Sequence, residues 1–470
     1  MKLSLLTLTA FGSCVHGSSP CQRYCRSTEE VSGPGYWEED IPPSHYTRSN
    51  PSGKKFVIKE VQNKNYHGLP APVEMARTYA KYNKSPPPAV AAAVKSINAV
   101  TPRIRQASSG MIGTAGAIPS NFYDSEYVVP VKIGTPPQLT YLILDTGSAD
   151  LWTFTTDTDT SLAIGHILYR PRQSSTKTFL AGFTWGLKYG DGSGASGIVY
   201  TDRVSVGGTI ARTQAVGSAQ KVSAAMAADT FASGIMGMAL SPLSSVRPTK
   251  QNTYFENIQS SLALPVFTAN LKKGIPGTFN FGYIDKNEYR GSVYYSPIAS
   301  SSPHWQITLS GYQVGTNAYQ RSDWVSIVDT GTTLLLAPNR IVNAYYAQVS
   351  GAKFDKTMGV MTFPCTATLP DFFFGLGPYR GRVPGFYMNY GPVGRGQCYG
   401  GLQTSDGIGF AIMGGILLKA QFVVFNIKAK TIGFANKQPV AQKKQKKTLE
   451  RGQVDRERIA WRNKRTTLPV

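Results

Sequence analysis

Two stretches of the chain share one polarity pattern, an apolar, strand-like run that ends abruptly on an acid, a threonine and a glycine. The first is "LILDTGSADLW", Leu142 to Trp152, and the second is "SIVDTGTTLLL", Ser326 to Leu336. Around them, runs such as "EYVVPVKIG", "GIVYTDRVSVGG", "GTFNFGYID" and "WQITLSGYQVG" alternate with Gly, Pro, Ser and Asp turns. Strand-length apolar runs punctuated this often predict a mainly β core, from Asn121 to about Asn436. Short helices are expected only at "TYFENIQSSLA" and "NRIVNAYYAQV". A core of roughly 315 residues outgrows one sandwich, so two lobes are expected.

Upstream the pattern differs. Residues 1–52 read as an uncertain region, with "SGPGYWEEDIPPSHYTRSNPSG" a linker. "KKFVIKEVQN" from Lys54 is strand-like, "PVEMARTYAKYNK" has helical spacing, and "PPPAVAAAVKSI" is a proline-led second helix. "NAVTPRIRQASSGMIGTAGA" suits a protease-accessible junction. Residues 437–470 have no apolar face and a dense basic load, and read as a disordered tail.

Composition supports the β reading: 47 Gly, 30 Pro, 25 Tyr and 21 Phe in 470 residues make a turn-rich, aromatic chain. The net charge of +22 invites a nucleic-acid reading, but about a third of it sits in the last 34 residues and about another third before residue 106. The middle carries no basic stripe, so neither nucleic acid nor membrane is expected as a partner. No apolar run reaches the roughly 18 residues of a membrane span. Lys2 followed by "LSLLTLTAFG" is a short, polar version of a secretory leader. Of 5 cysteines, three lie near the start and Cys365 and Cys398 stand alone in the body. The spacing suits no zinc site; one disulfide or two buried thiols are both open. No metal or cofactor is expected.

The acid turns belong to a longer echo. "DTGS" at Asp145 is followed by "GIMG" at Gly234, and "DTGT" at Asp329 by "AIMG" at Ala411, each acid lying roughly 90 residues before its echo's last glycine. Asp-Thr-Gly alone should occur by chance on the order of 0.1 times in such a chain. The repetition suggests duplicated lobes related by an approximate two-fold axis. If the axis brings Asp145 and Asp329 face to face, both cannot ionise cheaply, and one proton is held between them. Such a pair can deprotonate a water with one acid and protonate a carbonyl oxygen with the other. Gly147 and Gly331 would bring backbone N–H groups close to the carboxylates. Thr146 and Thr330 could cross-link the loops, and Ser148 and Thr332 could orient the outer carboxylate oxygens.

Through "DSEYVVPVKIGTPPQ", "LDTGSADLW", "YGDGS", "VDTGTTLLLAP", "FPC…GQCYGG" and "LLKAQFVVFN" the sequence resembles the pepsin-like aspartic endopeptidases, especially the secreted fungal penicillopepsin and aspergillopepsin type. The resemblance spans about residues 53–436. It implies an all-β, bilobal double barrel with a few short helices and a cleft between pseudo-symmetric lobes, at residues 109–296 and 297–436. It implies a secreted, rather than vacuolar, monomeric enzyme that cleaves protein and peptide substrates at acid pH. It identifies Asp145 and Asp329 as the catalytic dyad and "KYGDGS" as the flap, with Tyr189, Gly190, Asp191 and Ser193 over the substrate. Asp191 matches the flap acid associated with accepting a basic residue before the scissile bond. Thr332 and Thr333 match residues that bond the substrate backbone, Trp152 the tryptophan that supports the flap tyrosine, and Cys365 with Cys398 the second-lobe disulfide. Residues 53–108 resemble the inhibitory prosegment, with Lys81 a candidate to neutralise the dyad. Asn83 opens a glycosylation sequon within it.

The sequence departs from the family at "IMGGILL", where Gly415 replaces a structural acid, and at Ser233, where an acid is common. A pepsin-fold binding protein without catalysis is the alternative; such proteins damage a DTG or the flap tyrosine, and here both survive.

Overall fold

The computed structural model describes residues 36–37, 52–62, 69–107, 127–188 and 194–437. The first acid turn lies at the end of the strand Gln138–Asp145, where Thr140, Leu142 and Leu144 alternate inward. The echo strand Gly234–Gly237 runs parallel beside it, with Gly237 opposite Asp145, and antiparallel to Leu151–Phe154 on its other side. The second half repeats the arrangement. Ala411–Met413 lies parallel to Gln320–Val328 and antiparallel to Leu335–Ala337. Each echo is therefore the central strand between the arm that enters the acid turn and the arm that leaves it. That is why the two motifs recur together: the apolar residues fill the core, Met236 and Met413 being fully buried.

In the first half these strands belong to an eight-stranded sheet, in which Tyr127–Ile133 also pairs with Gly194–Val206 and so closes a barrel of six. In the second half they lie in a seven-stranded sheet, beside a four-stranded one from Lys353 to Gly400. Cys365 and Cys398 are joined by a disulfide across that smaller sheet. A fourth sheet joins Val266–Asn270 and Thr278–Phe281 to Gln421–Asn426 and Thr431–Asn436, and so ties the halves together. Its face is aromatic, with Phe267 stacked on Phe425 at 4.5 Å and edge-on to Trp305 at 6.3 Å. The short helices expected at 253–263 and 339–349 appear as Tyr254–Ile258 and Asn339–Tyr346.

Upstream segments complete these sheets. Phe56–Lys59 pairs with Thr278–Phe281 at one edge of the fourth sheet, and Tyr36–Trp37 pairs with Tyr294 and Tyr295 at the other. The run read as one strand from Lys54 divides at Glu60, and Val61–Gln62 joins the first sheet instead. The break has a polar cause: buried Glu60 turns its carboxylate inward to accept from the Gly277 N–H at 2.7 Å.

Two helices follow, α1 (Ala71–Lys81) and α2 (Pro88–Ala107). α1 buries Met75, Ala76, Tyr79 and Ala80. It ends where Asn83 takes φ 55°, which asparagine tolerates better than most residues, and Lys84 N–H donates back to the Tyr79 carbonyl at 2.9 Å. The three prolines that follow prevent its continuation. α2 runs past Ile97 into the stretch expected to be an open junction, because Ile97, Val100 and Ile104 sustain helical apolar spacing. The remainder of that junction, residues 108–126, lies outside the described residues.

Candidate active site

The two acid turns meet back to back. Thr146 N–H donates to Thr330 Oγ1 at 3.0 Å and Thr330 N–H to Thr146 Oγ1 at 2.9 Å. Each hydroxyl then donates across the interface, Thr146 to the Val328 carbonyl and Thr330 to the Leu144 carbonyl, both at 2.8 Å. Four hydrogen bonds, buried or partly buried, thus lock the loops in one relative position, and each carboxylate is aimed by the opposite strand as much as by its own.

The turns are packed too tightly for side chains at their glycines. A Cβ on Gly147 would fall 2.6 Å from Asp329 Cγ, and one on Gly331 2.6 Å from Asp145 Cγ. The Gly147 and Gly331 N–H groups donate to their own acid's Oδ1 at 2.8 and 2.9 Å. Ser148 Oγ donates to Asp145 Oδ2 at 2.5 Å, and Thr332 Oγ1 donates to Asp329 Oδ2. Asp145 is 2% exposed and Asp329 is 0% exposed. Two buried carboxylates at one site need a cation or a proton.

The cation is Lys81, from the last turn of α1. Its Nζ lies 2.6 Å from Asp145 Oδ1 and 2.9 and 2.8 Å from Asp329 Oδ1 and Oδ2. The next residue, Tyr82, donates its hydroxyl to Asp329 Oδ2 at 2.8 Å. Burial opposes charge on Asp329, but the Lys81 ammonium and the hydrogen bonds from Asp145, Lys81 and Thr332 outweigh it and hold the carboxyl at about 2. Burial raises Asp145; Lys81 counteracts that in part, and the neighbouring Asp329 charge adds to it. Lys81 is raised, because attraction to the two acids exceeds the cost of its burial.

Helix α1 fills the cleft elsewhere too. Thr333 Oγ1 donates to Glu74 Oε2 at 3.3 Å, and burial raises the Glu74 carboxyl. A cavity of about 200 Å³ remains beside the helix, bordered by Glu74, Arg77, Asp145, Asp229, Thr333 and Lys419. Trp152 is buried between Trp185, at 5.5 Å, and Phe154, at 6.1 Å, and its indole Nε1 has no partner among the described residues. Tyr189, Gly190, Asp191 and Ser193 lie outside the described residues. The strands that lead to them, Thr178–Lys188 and Gly194–Val206, pair antiparallel with Lys188 opposite Gly194. At Gly415, the N–H donates to the Thr332 carbonyl at 2.7 Å and opens the short helix Gly415–Leu418. Ser233 is buried and its Oγ accepts from Ile167 N–H at 3.1 Å.

The structure therefore gathers Asp145, Asp329, Gly147, Gly331, Ser148, Thr332 and Lys81 at one point, with Thr333 along the same cleft. Sequence reading missed Tyr82, Glu74 and His304, which stand around the pair. Tyr82 carried the only available signal, its place next to Lys81.

A pair of acids held on matched turns between two β lobes defines an aspartic peptidase. Comparison with known proteins agrees. Residues 126–437 match the family model described as eukaryotic aspartyl protease. Endothiapepsin of Cryphonectria parasitica is 45% identical over 386 residues, which cover 82% of this chain and 90% of the relative. Podosporapepsin of Podospora anserina is 42% identical, over 82% of this chain and 92% of its own length. Penicillopepsin-3 of Penicillium janthinellum is 43% identical, over 75% and 88%. The chain belongs to the eukaryotic aspartyl protease family, and it is a peptide hydrolase of the pepsin-like type.

Proposed function

We propose that Asp145 and Asp329 are the catalytic dyad of this endopeptidase, and that residues 53–108 are a prosegment which keeps it closed through Lys81. The observation that carries the reading is the single ammonium bonded to both acids. It fills the point at which a water would have to sit to be activated by the pair.

With the segment released, the pair loses its cation and takes up one proton to limit like-charge repulsion. The ionised acid removes a proton from water, whose oxygen bonds to the substrate carbonyl carbon, while the other acid gives its proton to the carbonyl oxygen. The resulting diol collapses as the C–N bond breaks and the amine nitrogen takes up a proton. The Gly147 and Gly331 N–H groups, with Ser148 and Thr332, hold each carboxylate in place through these transfers. Thr333, now bonded to Glu74, is freed to bond a substrate backbone. Tyr189, Gly190, Asp191 and Ser193 act as a flap over the bound peptide, with Trp152 supporting it. The lobes divide at residues 109–296 and 297–436, residues 437–470 are a tail, and the enzyme is a secreted monomer.

The test is digestion of a denatured protein between pH 2 and 7, with and without the transition-state-mimicking inhibitor pepstatin. Activity is expected to peak below about pH 5 and to be abolished by the inhibitor. Inhibitor-insensitive cleavage, or none at any pH after the segment is removed, would overturn the reading.

A further inference from the structure

The ring of Tyr82 occupies a seat beside the acid pair with two aromatic walls. It lies edge-on to His304 at 5.5 Å and to Phe410 at 5.2 Å. Both walls are fixed by the sheet that delivers Asp329. His304 immediately precedes the arm that leads into Gln306–Val314, and Phe410 immediately precedes Ala411–Met413, which pairs with Val328. Because Lys81 covers the acids, the side chain of the adjacent residue marks where a substrate side chain next to the cleaved bond would lie.

An imidazole is a peculiar wall for such a seat, since a plain hydrocarbon ring would pack there without titrating. Its Nδ1 is buried and has no hydrogen-bond partner among the described residues, so protonation with Tyr82 in place would bury an unsatisfied N–H. Burial accordingly pushes His304 down to about 4; Asp329 acts against the shift, and the Lys81 ammonium adds to it.

We infer that His304 is a specificity-determining residue of the released enzyme, lining the subsite for one of the two substrate residues that flank the cleaved bond and excluding cationic side chains from it in acid. The inference rests on the proposed release of the segment carrying Lys81 and Tyr82. That release removes both the cover and the ammonium that depress the imidazole, and leaves the Asp329 carboxylate facing it. The ring's affinity for a proton then rises from its depressed value towards the ordinary histidine value of about 6.5. An imidazolium wall accepts an aromatic face or a carboxylate, as the Tyr82 seat already accepts a ring. It repels a lysine or arginine brought to contact distance in a site shielded from water.

The experiment uses acid-released enzyme and paired peptides that carry norleucine or lysine at either residue flanking the cleaved bond. Within a pair, the ratio of kcat/KM cancels the ionisation of the dyad, which both peptides share. At one of the two positions, the norleucine-to-lysine ratio is expected to rise about ten-fold or more between pH 6.5 and 4. His304→Phe should make that ratio independent of pH, and His304→Arg should keep it high throughout. Pepstatin titration of active sites corrects each variant for misfolded protein, and His304→Gln serves as a second uncharged replacement. A ratio that does not change with pH at both positions in the wild type, or that still rises in His304→Phe and His304→Gln, would overturn the inference while leaving peptide hydrolysis intact. If the wild type cuts no peptide faster than Asp145→Asn does, the proposed catalysis fails first and the inference fails with it.

Discussion

The turns Asp145–Ser148 and Asp329–Thr332 are near copies, yet their acids lie on opposite sides of the ordinary carboxylate range. Each has its glycine N–H on Oδ1, a hydroxyl three residues on donating to Oδ2, and a threonine bonded into the other half. The partners they meet beyond the duplication differ. Lys81 bonds one oxygen of Asp145 but both of Asp329, and Tyr82 bonds Asp329 alone. Against the burial of both acids, the Lys81 ammonium and the hydrogen bonds from Asp145, Lys81 and Thr332 lower Asp329 to about 2, while burial leaves Asp145 raised. Two-fold symmetry builds the pair, and a single asymmetric segment supplies its counter-charge.

The harshest way to break the comparison is to neutralise one member. Asp145→Asn and Asp329→Asn should each reduce kcat/KM on a peptide by 10³-fold or more, because one acid cannot fill both roles. Unequal effects, with one variant near wild type, would mean that the two copies are not partners.

Removing the shared cation comes next. Lys81→Met leaves two buried carboxylates without a counter-charge, a cost of about 3–5 kcal/mol to the closed form. The full-length variant should bind pepstatin near neutral pH, where the wild type is closed. This is read by inhibitor-binding calorimetry.

Acid should open the wild-type segment, and the sign follows from the shifts. His304 and Asp329 are both depressed when closed, so their contribution to closure is present above their released values and lost as pH falls towards about 4 and about 2. Asp145 and Glu74, both raised, act in the opposite direction and blunt the transition. His304→Phe should therefore move the midpoint of segment release towards acid by about half a pH unit, followed by gel analysis of acid-treated protein.

The smallest effects are expected at the cross-links. Thr146→Val and Thr330→Val each remove two bonds of the lock, and each should cost about 1–3 kcal/mol. The two losses should match to within experimental error in thermal melts of the closed protein, since the lock is symmetric even though the charges are not.

What could be read from the sequence follows the same division. The acids, their glycines and the cross-linking threonines were legible because duplication writes each of them twice, and a β strand that ends on an acid turn has few bland explanations. Lys81 was legible only through resemblance, because a lysine near the end of an amphipathic helix ordinarily points to solvent. His304 gave no signal at all. It sits between a serine-rich turn and "WQITL", and its role arises where two distant segments, at Tyr82 and Phe410, close around it. The division of the Lys54 run at Glu60 was equally hidden, because the carboxylate's partner, Gly277, is supplied by a distant part of the chain.

The central claim is tested most directly by the pH dependence of kcat/KM for the released enzyme on a peptide without ionisable side chains. Acids that hold one proton in common should give a bell with two apparent pKa values, split to either side of the ordinary carboxylate value of about 3.9. A single ionisation near that value, retained when either Asp145 or Asp329 is replaced by Asn, would contradict it.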